Sequence, residues 1–266
     1  NVFPEDVEAR IFLEQDIFTW VADAKDSSQL FDWHDQYPNN TAFFDTQYRL
    51  QSDLAGVISK VFYEGRLKSE ELDLQPVKSG ESDAWFQASV ALVNTGKYSP
   101  KLIQDKSEPG FRPANEIHQR VMMESVERLL KKYNASQIGL IVPFRHSVYQ
   151  YRTALRESIL PGALGIEVGT IHTFQGREKE AIILDTIMTA EIQYGRRRDY
   201  SVRPFDETKN GMAVPRLLNV ACTRSKKLLV VIADMNHMKK VYRGKFMARF
   251  LDALAEPQII GPFSPP

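Results

Sequence analysis

The sequence predicts an α/β protein of three layers, in which helices cover both faces of a mostly parallel central sheet. Three observations carry this. The runs GLIV (139–142), AIIL (181–184) and LLVVIA (228–233) are apolar throughout and of strand length, without the alternation of a half-wetted sheet. Amphipathic segments of helical length lie between them. With 266 residues, 43% of them apolar, the chain can bury a substantial core.

Residues 1–40 are acidic, with Phe3, Phe12, Phe18, Trp20, Phe31 and Trp33 at irregular spacing. Helical pieces are predicted near 5–15 and 27–34, in an N-terminal segment or linker preceding a domain over 41–266. AFFDT, followed by the polar QYR, is predicted as a strand; Leu54, Val57, Ile58, Val61 and Phe62 then recur at helical spacing, and Gly65 supplies a stop. Residues 66–83 are loop-like, 84–94 are predicted to hold a strand, and 97–113, with Pro100, Pro109 and Pro113, an exposed connection.

An amphipathic helix follows, with Ile117, Val121, Met122, Val126 and Leu129 on one side and a basic last turn. QIGLIVPF is a buried strand that Pro143 stops, and HSVYQYRTALRESI is a helix. VGTI and AIIL are strands joined by a polar loop, PRLLNVACTRSK is a helix, KKLLVVIAD a strand, and MNHMKKVYRGKFMARFLDALA one closing helix. The segment 191–214 reads as an insertion, where Arg196, Arg197 and Arg198 lie between Tyr194 and Tyr200. Cations interleaved with aromatics suit a single strand held by charge and stacking, although a mobile surface loop is the simpler alternative.

Composition removes several function classes. No apolar run approaches the roughly 18 residues of a membrane helix, and the N-terminus carries no leader pattern, so the chain reads as soluble and cytoplasmic. Cys222 is the single cysteine, which rules out an internal disulfide, and the five histidines form no HExxH pair. No metal site is predicted. The net charge of +0 conceals an asymmetry: residues 1–90 hold 7 Lys and Arg against 17 Asp and Glu, leaving 27 against 17 beyond. A basic excess in the later part is compatible with a polyanionic partner.

The polar clusters point the same way. QYR follows AFFDT, PFR follows GLIV, HTFQGRE follows VGTI, and ACTRSK precedes the last strand. In such a sheet ligands collect at the carboxyl ends of strands, where these clusters are expected to lie. Arg49, Arg145 and Arg224 offer planar forks that match phosphate oxygens; salt bridging to nearby carboxylates is the competing use of each.

Taken together, QYR (47–49) with VFYEGRL (61–67), IGLIVPFR (138–145), VGTIHTFQGREKEAIIL (168–184) and PRLLNVACTRSKKLLVVIAD (215–234) resemble, in order, the motifs of the second RecA-like domain of superfamily 1 helicases, in the Upf1-like branch. QGREKEAIIL and LNVACTRSKKLLVV are the specific parts. The resemblance covers about 41–235 and implies an ATP-dependent helicase acting on single-stranded DNA or RNA.

By that resemblance Tyr48 lies against adenine, Arg49 and Arg224 reach the γ-phosphate, and Glu178 accepts from the ribose. Gln175 and Gly176 shape the loop coupling nucleotide to nucleic acid, while Thr170, His172 and Thr173, with Arg145 and Ser147, contact its backbone. Phe144, Leu50, Cys222 and Ser225 depart from the residues usual in these motifs, and none of them removes a charge the mechanism needs.

No GxxxxGK[ST] loop occurs, nor an apolar strand ending in Asp-Glu. ATP, with its Mg²⁺, is therefore expected to be held mainly by an N-terminal RecA-like domain of a longer chain, and this piece alone to be inactive. A noncatalytic RecA-like module binding nucleic acid or protein is the alternative. A nuclease is disfavoured, because no carboxylate and lysine cluster stands near one strand end.

Overall fold

In the computed structural model the described residues are 29–70, 86, 88–104, 112–194, 205, 207–209, 212–214 and 216–254. The helix predicted near 5–15 lies outside them.

Five parallel strands form the central sheet: β3 (Val90–Asn94), β6 (Ile138–Val142), β7 (Glu167–Thr170), β8 (Lys179–Asp185) and β12 (Ser225–Ala233). Their order is β3-β12-β8-β6-β7. The apolar runs form its middle, and Ile138, Leu140, Ile182, Leu184, Val230 and Ile232 are fully buried. Shorter strands lie outside it. β1 (Thr46–Gln47) pairs in parallel with β2 (Lys68–Ser69), and β4 (Lys101–Gln104) joins β5 (Pro113–Ala114) and β9 (Glu191–Tyr194). A hairpin of β10 (Glu207–Lys209) and β11 (Met212–Val214) completes the set among the described residues.

The helices are α1 (Gln29–Gln36), α2 (Ser52–Phe62), α3 (Glu116–Leu130), α4 (Arg145–Glu157), α5 (Arg216–Cys222), α6 (Met235–Val241) and α7 (Phe246–Ala253). One layer contains α3, packed on β8 and β12, and α4 beside β6 and β7; in the other α2 contacts α5 and α7, and α7 contacts α6. Gly65 at φ 78° ends α2 as its place in the sequence predicts. Asn115 caps α3 by accepting from the His118 amide.

Three predictions are corrected. The strand expected over AFFDT shrinks to Thr46–Gln47, because Phe44 is 89% exposed and Phe43 packs edge-on against Phe31 instead of entering a ladder. Residues 97–113 are more than an exposed connection: β4 and β5 belong to a sheet, and Leu102 is buried. The closing helix divides in two, since Gly244 takes φ 75°, outside helical backbone.

At the carboxyl end of β8 lies a buried polar network that periodicity does not announce. Asp185 accepts from His118 Nδ1 at 2.6 Å, from the Tyr151 hydroxyl and from the Ile187 amide at 2.8 Å, tying α3 and α4 to the sheet. Nε2 of His118 bonds Thr95 at 2.8 Å. Ile187 has φ 61°, a costly conformation for a β-branched residue, and Asn115 holds its carbonyl at 2.9 Å.

Candidate functional site

Register brings the first group of residues together. Ser225 of β12 pairs with Lys179 of β8, so the residues just before them, Arg224 and Glu178, stand side by side at the amino ends of neighbouring strands. The Lys179 amide also donates to the Arg224 carbonyl at 3.0 Å. Arg49, arriving from the turn after β1, places Nε 3.3 Å from Glu178 Oε2, and Lys226 Nζ lies 2.5 Å from Oε1.

Each cation is positioned by its own neighbours. Arg224 donates from Nε to the Val220 carbonyl at 3.0 Å, from Nη2 to Thr223 Oγ1 at 3.2 Å and from Nη1 to the Arg177 carbonyl at 3.3 Å. With the Thr223 hydroxyl it satisfies the Val220 carbonyl at the end of α5, and its fork is held in one place. Gln47 organises the other side: its Oε1 accepts from the amides of Arg49 (2.8 Å) and Leu50 (2.7 Å), and its Nε2 donates to the Leu50 carbonyl and Ser69. Tyr48, at the tip of this turn, is 63% exposed.

The electrostatics show a rim short of negative charge. Arg49, Arg224 and Lys226 surround the carboxylate of Glu178, three cations against one anion. The hydrogen bond from Lys226 holds Glu178 below the usual carboxylate range, and Arg49 and Arg224 add to the effect. Partial burial, and after it the neighbouring Arg49, disfavours the charged form of Arg224, which Glu178 partly offsets. An anion arriving at this edge would favour the charged form of Arg224 and offset the excess positive charge.

A second group lies at the opposite end of the sheet. Val142 pairs with Thr170, and both chains leave their strands there, toward Arg145 on one side and His172 and Thr173 on the other. His172, Thr173 and Arg145 are exposed and Thr170 is half-buried. Ser147 departs from its expected place. It is fully buried and donates to the Pro113 carbonyl at 3.3 Å, so its hydroxyl faces the interior and not a passing strand. Thr173 Oγ1 donates to the Thr170 carbonyl at 2.8 Å, which tightens the turn.

The polar clusters therefore do not all gather at carboxyl ends. Arg145 and Thr170 do, whereas Glu178 and Arg224 precede their strands, and Arg49 leaves a strand outside the central sheet. Residues 171–178 join the two ends. They begin level with Val142 and return to Lys179, beyond the level where Ile138 faces Ala181. Phe174 is fully buried midway. Gly139 and Gly169 clear its niche, since a Cβ at Gly139 would stand 2.8 Å from Phe174 Cε1 and one at Gly169 3.1 Å from its Cδ2. Gly176, at φ 79°, makes the turn toward Glu178, with Gln175 exposed beside it.

Lys226 and Gln47 are the residues that sequence reasoning missed. Gln47 was within reach as part of QYR, and Lys226 as part of TRSKK, but which Lys of the pair faces Glu178 follows only from the bulge between Ser225 and Leu228. Among the described residues there is no group of three His, Cys, Asp or Glu placed to hold a metal ion. No described helix is long and apolar enough to cross a membrane. Arg196, Arg197, Arg198 and Tyr200 of the insertion lie outside the described residues.

Comparison with known proteins bears on this arrangement. The AAA domain family matches residues 26–236. An uncharacterized ATP-dependent helicase of Methanocaldococcus jannaschii is 28% identical over 219 residues, 78% of this chain and 29% of the relative. The DNA polymerase alpha-associated DNA helicase A of Schizosaccharomyces pombe is 26% identical over 231 residues, 82% of this chain and 31% of the relative. The human RNA helicase Mov10l1 is 28% identical over 191 residues, 70% of this chain and 15% of the relative. The chain thus spans under a third of these relatives. It belongs to the AAA domain family, and it is similar to superfamily 1, Upf1-like helicases.

Proposed function

We propose that this domain is the C-terminal motor lobe of an ATP-dependent DNA or RNA helicase or translocase, completing a nucleotide site whose phosphate loop and magnesium ligands a first RecA-like lobe supplies. The observation that carries this is the meeting of Arg49, Glu178 and Arg224, with Lys226, on one accessible edge that has excess positive charge. Arg49 and Arg224 face the γ-phosphate, and fixed cations at that place offset charge developing during phosphoryl transfer. Glu178 accepts from the ribose hydroxyls once the phosphates draw the arginines away from it. The exposed ring of Tyr48 lies against the adenine.

At the far end of the sheet Arg145, Thr170, His172 and Thr173 contact the backbone of a single strand without reading its bases. Gln175 and Gly176 lie on the stretch between the two sites, anchored by Phe174, so a shift of Glu178 on nucleotide binding is carried to Thr173 along a short braced segment. The experiment is ATP turnover, measured on this chain alone and on the same domain joined to a lobe bearing a phosphate loop. Negligible turnover alone, and turnover stimulated by single-stranded nucleic acid in the joined form, is expected. Robust stimulated hydrolysis by this chain alone would overturn the division of labour.

A further inference from the structure

One face of α4 carries a stripe that the nucleotide and strand-end contacts leave unused. Arg145, Tyr149, Arg152 and Arg156 recur at intervals of four, three and four residues, which puts all four on one side of the helix. All are exposed, Tyr149 to 52%. From Arg145 to Arg156 the stripe runs eleven helical rises, roughly 16 Å at 1.5 Å per residue.

The stripe is ordered yet electrically unanswered. Arg145 Nε donates to the Tyr149 hydroxyl at 3.3 Å, and Arg152 Nη2 to the Val168 carbonyl on β7 at 2.8 Å. Among the described residues no carboxylate pairs with Arg145, Arg152 or Arg156, whereas Arg49, Arg66, Arg120 and Arg177 each have one. An open groove of about 360 Å³ runs alongside, lined by Gln119, Tyr149, Gln150, Thr153, Ala154 and Glu157. The upper end of the stripe is Arg145 itself, beside the carboxyl ends of β6 and β7; its lower end descends along edge strand β7.

We propose that this face of α4 is a second stretch of the nucleic-acid track, binding a single strand as it leaves the carboxyl end of the sheet. The three guanidinium groups pair with successive phosphates, and the Tyr149 ring stacks on an unpaired base. Charge complementarity and continuity with Arg145 favour nucleic acid as occupant, and an exposed aromatic between cations favours a single strand over a duplex, whose bases are already stacked. This inference rests on the proposed strand contacts at Arg145, Thr170, His172 and Thr173.

The test measures binding of this chain to pyrimidine oligonucleotides of about 6 and about 12 nucleotides across a salt series. Wild type should bind the longer oligonucleotide more tightly. Arg152→Ala with Arg156→Ala should remove that advantage, weaken the longer complex by about tenfold at low salt, and lower the slope of log affinity against log salt by roughly 1.4. Arg156→Glu, which disturbs no side-chain hydrogen bond among the described residues, should act in the same direction. Tyr149→Phe should preserve binding and Tyr149→Ala weaken it.

If wild type binds neither oligonucleotide, the strand-end contacts fail and the stripe with them. If wild type binds both, while Arg156→Glu and the double variant leave the length advantage and salt slope unchanged, the stripe alone fails. Equal competition by polyglutamate of matched charge, with Tyr149→Ala silent, would identify an acidic protein segment as the occupant and overturn the proposal.

Discussion

Arg49 Nε lies 3.3 Å from Glu178 Oε2, joining the turn after β1 to the loop before β8. Salt bridging was the competing use for this arginine, and it is the use the structure displays. The two uses are compatible. An exposed ion pair contributes little stability, so an incoming triphosphate can exchange partners with Glu178 at small cost. Under the proposed function Lys226 would remain to hold the carboxylate if Arg49 turned away.

The first prediction concerns that carboxylate. Glu178 titrates below the ordinary glutamate range because Lys226 donates to it and the two arginines stand near. Lys226→Ala should move its NMR titration midpoint upward, with Arg49→Ala giving a smaller shift in the same direction. Because the folded pKa is depressed, any stabilisation from these pairs is present near neutral pH and is lost as pH falls through that midpoint. A midpoint unaffected by Lys226→Ala would remove the carboxylate from the rim.

A second prediction addresses the braced segment. Gly139→Ala places a methyl 2.7 Å from Ile182 Cδ1 and 2.8 Å from Phe174 Cε1. The overpacking should cost about 1–3 kcal/mol in urea denaturation. Phe174→Ala, which empties the niche, should cost about 3–5 kcal/mol. Wild-type stability in both would mean that the segment is not seated on the sheet as described.

Ser225 supports a third. Its hydroxyl is buried beside Arg224 and has no hydrogen-bond partner among the described residues. Ser225→Ala should therefore stabilise the fold by about 1 kcal/mol, since an unsatisfied buried hydroxyl carries a desolvation cost. A loss of stability on this substitution would reveal a bond to the hydroxyl.

The fourth separates the roles of two buried polar residues at the other end, Ser147 and Asp185. Ser147→Ala should leave single-strand affinity unchanged and cost at most about 1 kcal/mol of stability, because its hydroxyl serves the Pro113 carbonyl. Asp185→Ala, by contrast, strips His118, Tyr151 and the Ile187 amide of one shared partner and should cost about 3 kcal/mol or more. Equilibrium unfolding reports both.

How much of this was legible in the sequence follows from the physics of each element. The five central strands were, because a strand buried on both faces must be apolar along its length, as GLIV and LLVVIA are. The juxtaposition of Glu178 and Arg224 was accessible only through family likeness; its cause, the Ser225–Lys179 register, is a long-range fact that no local pattern encodes. Ser147 misled because a serine after a strand-ending proline looks the same on paper whether its helix turns it outward or inward. The Asp185 network was invisible for a related reason: His118 and Tyr151 sit among apolar neighbours at helical spacing, and nothing local says which core positions are polar by design.

The most direct measurement is single-strand-stimulated ATP turnover by this domain joined to a lobe bearing a phosphate loop, comparing wild type with Arg224→Ala. Loss of an arginine that offsets charge at the γ-phosphate should lower kcat by about 10³ while thermal unfolding and nucleic-acid affinity stay close to wild type. A folded Arg224→Ala protein that turns over ATP at the wild-type rate would contradict the account at its centre.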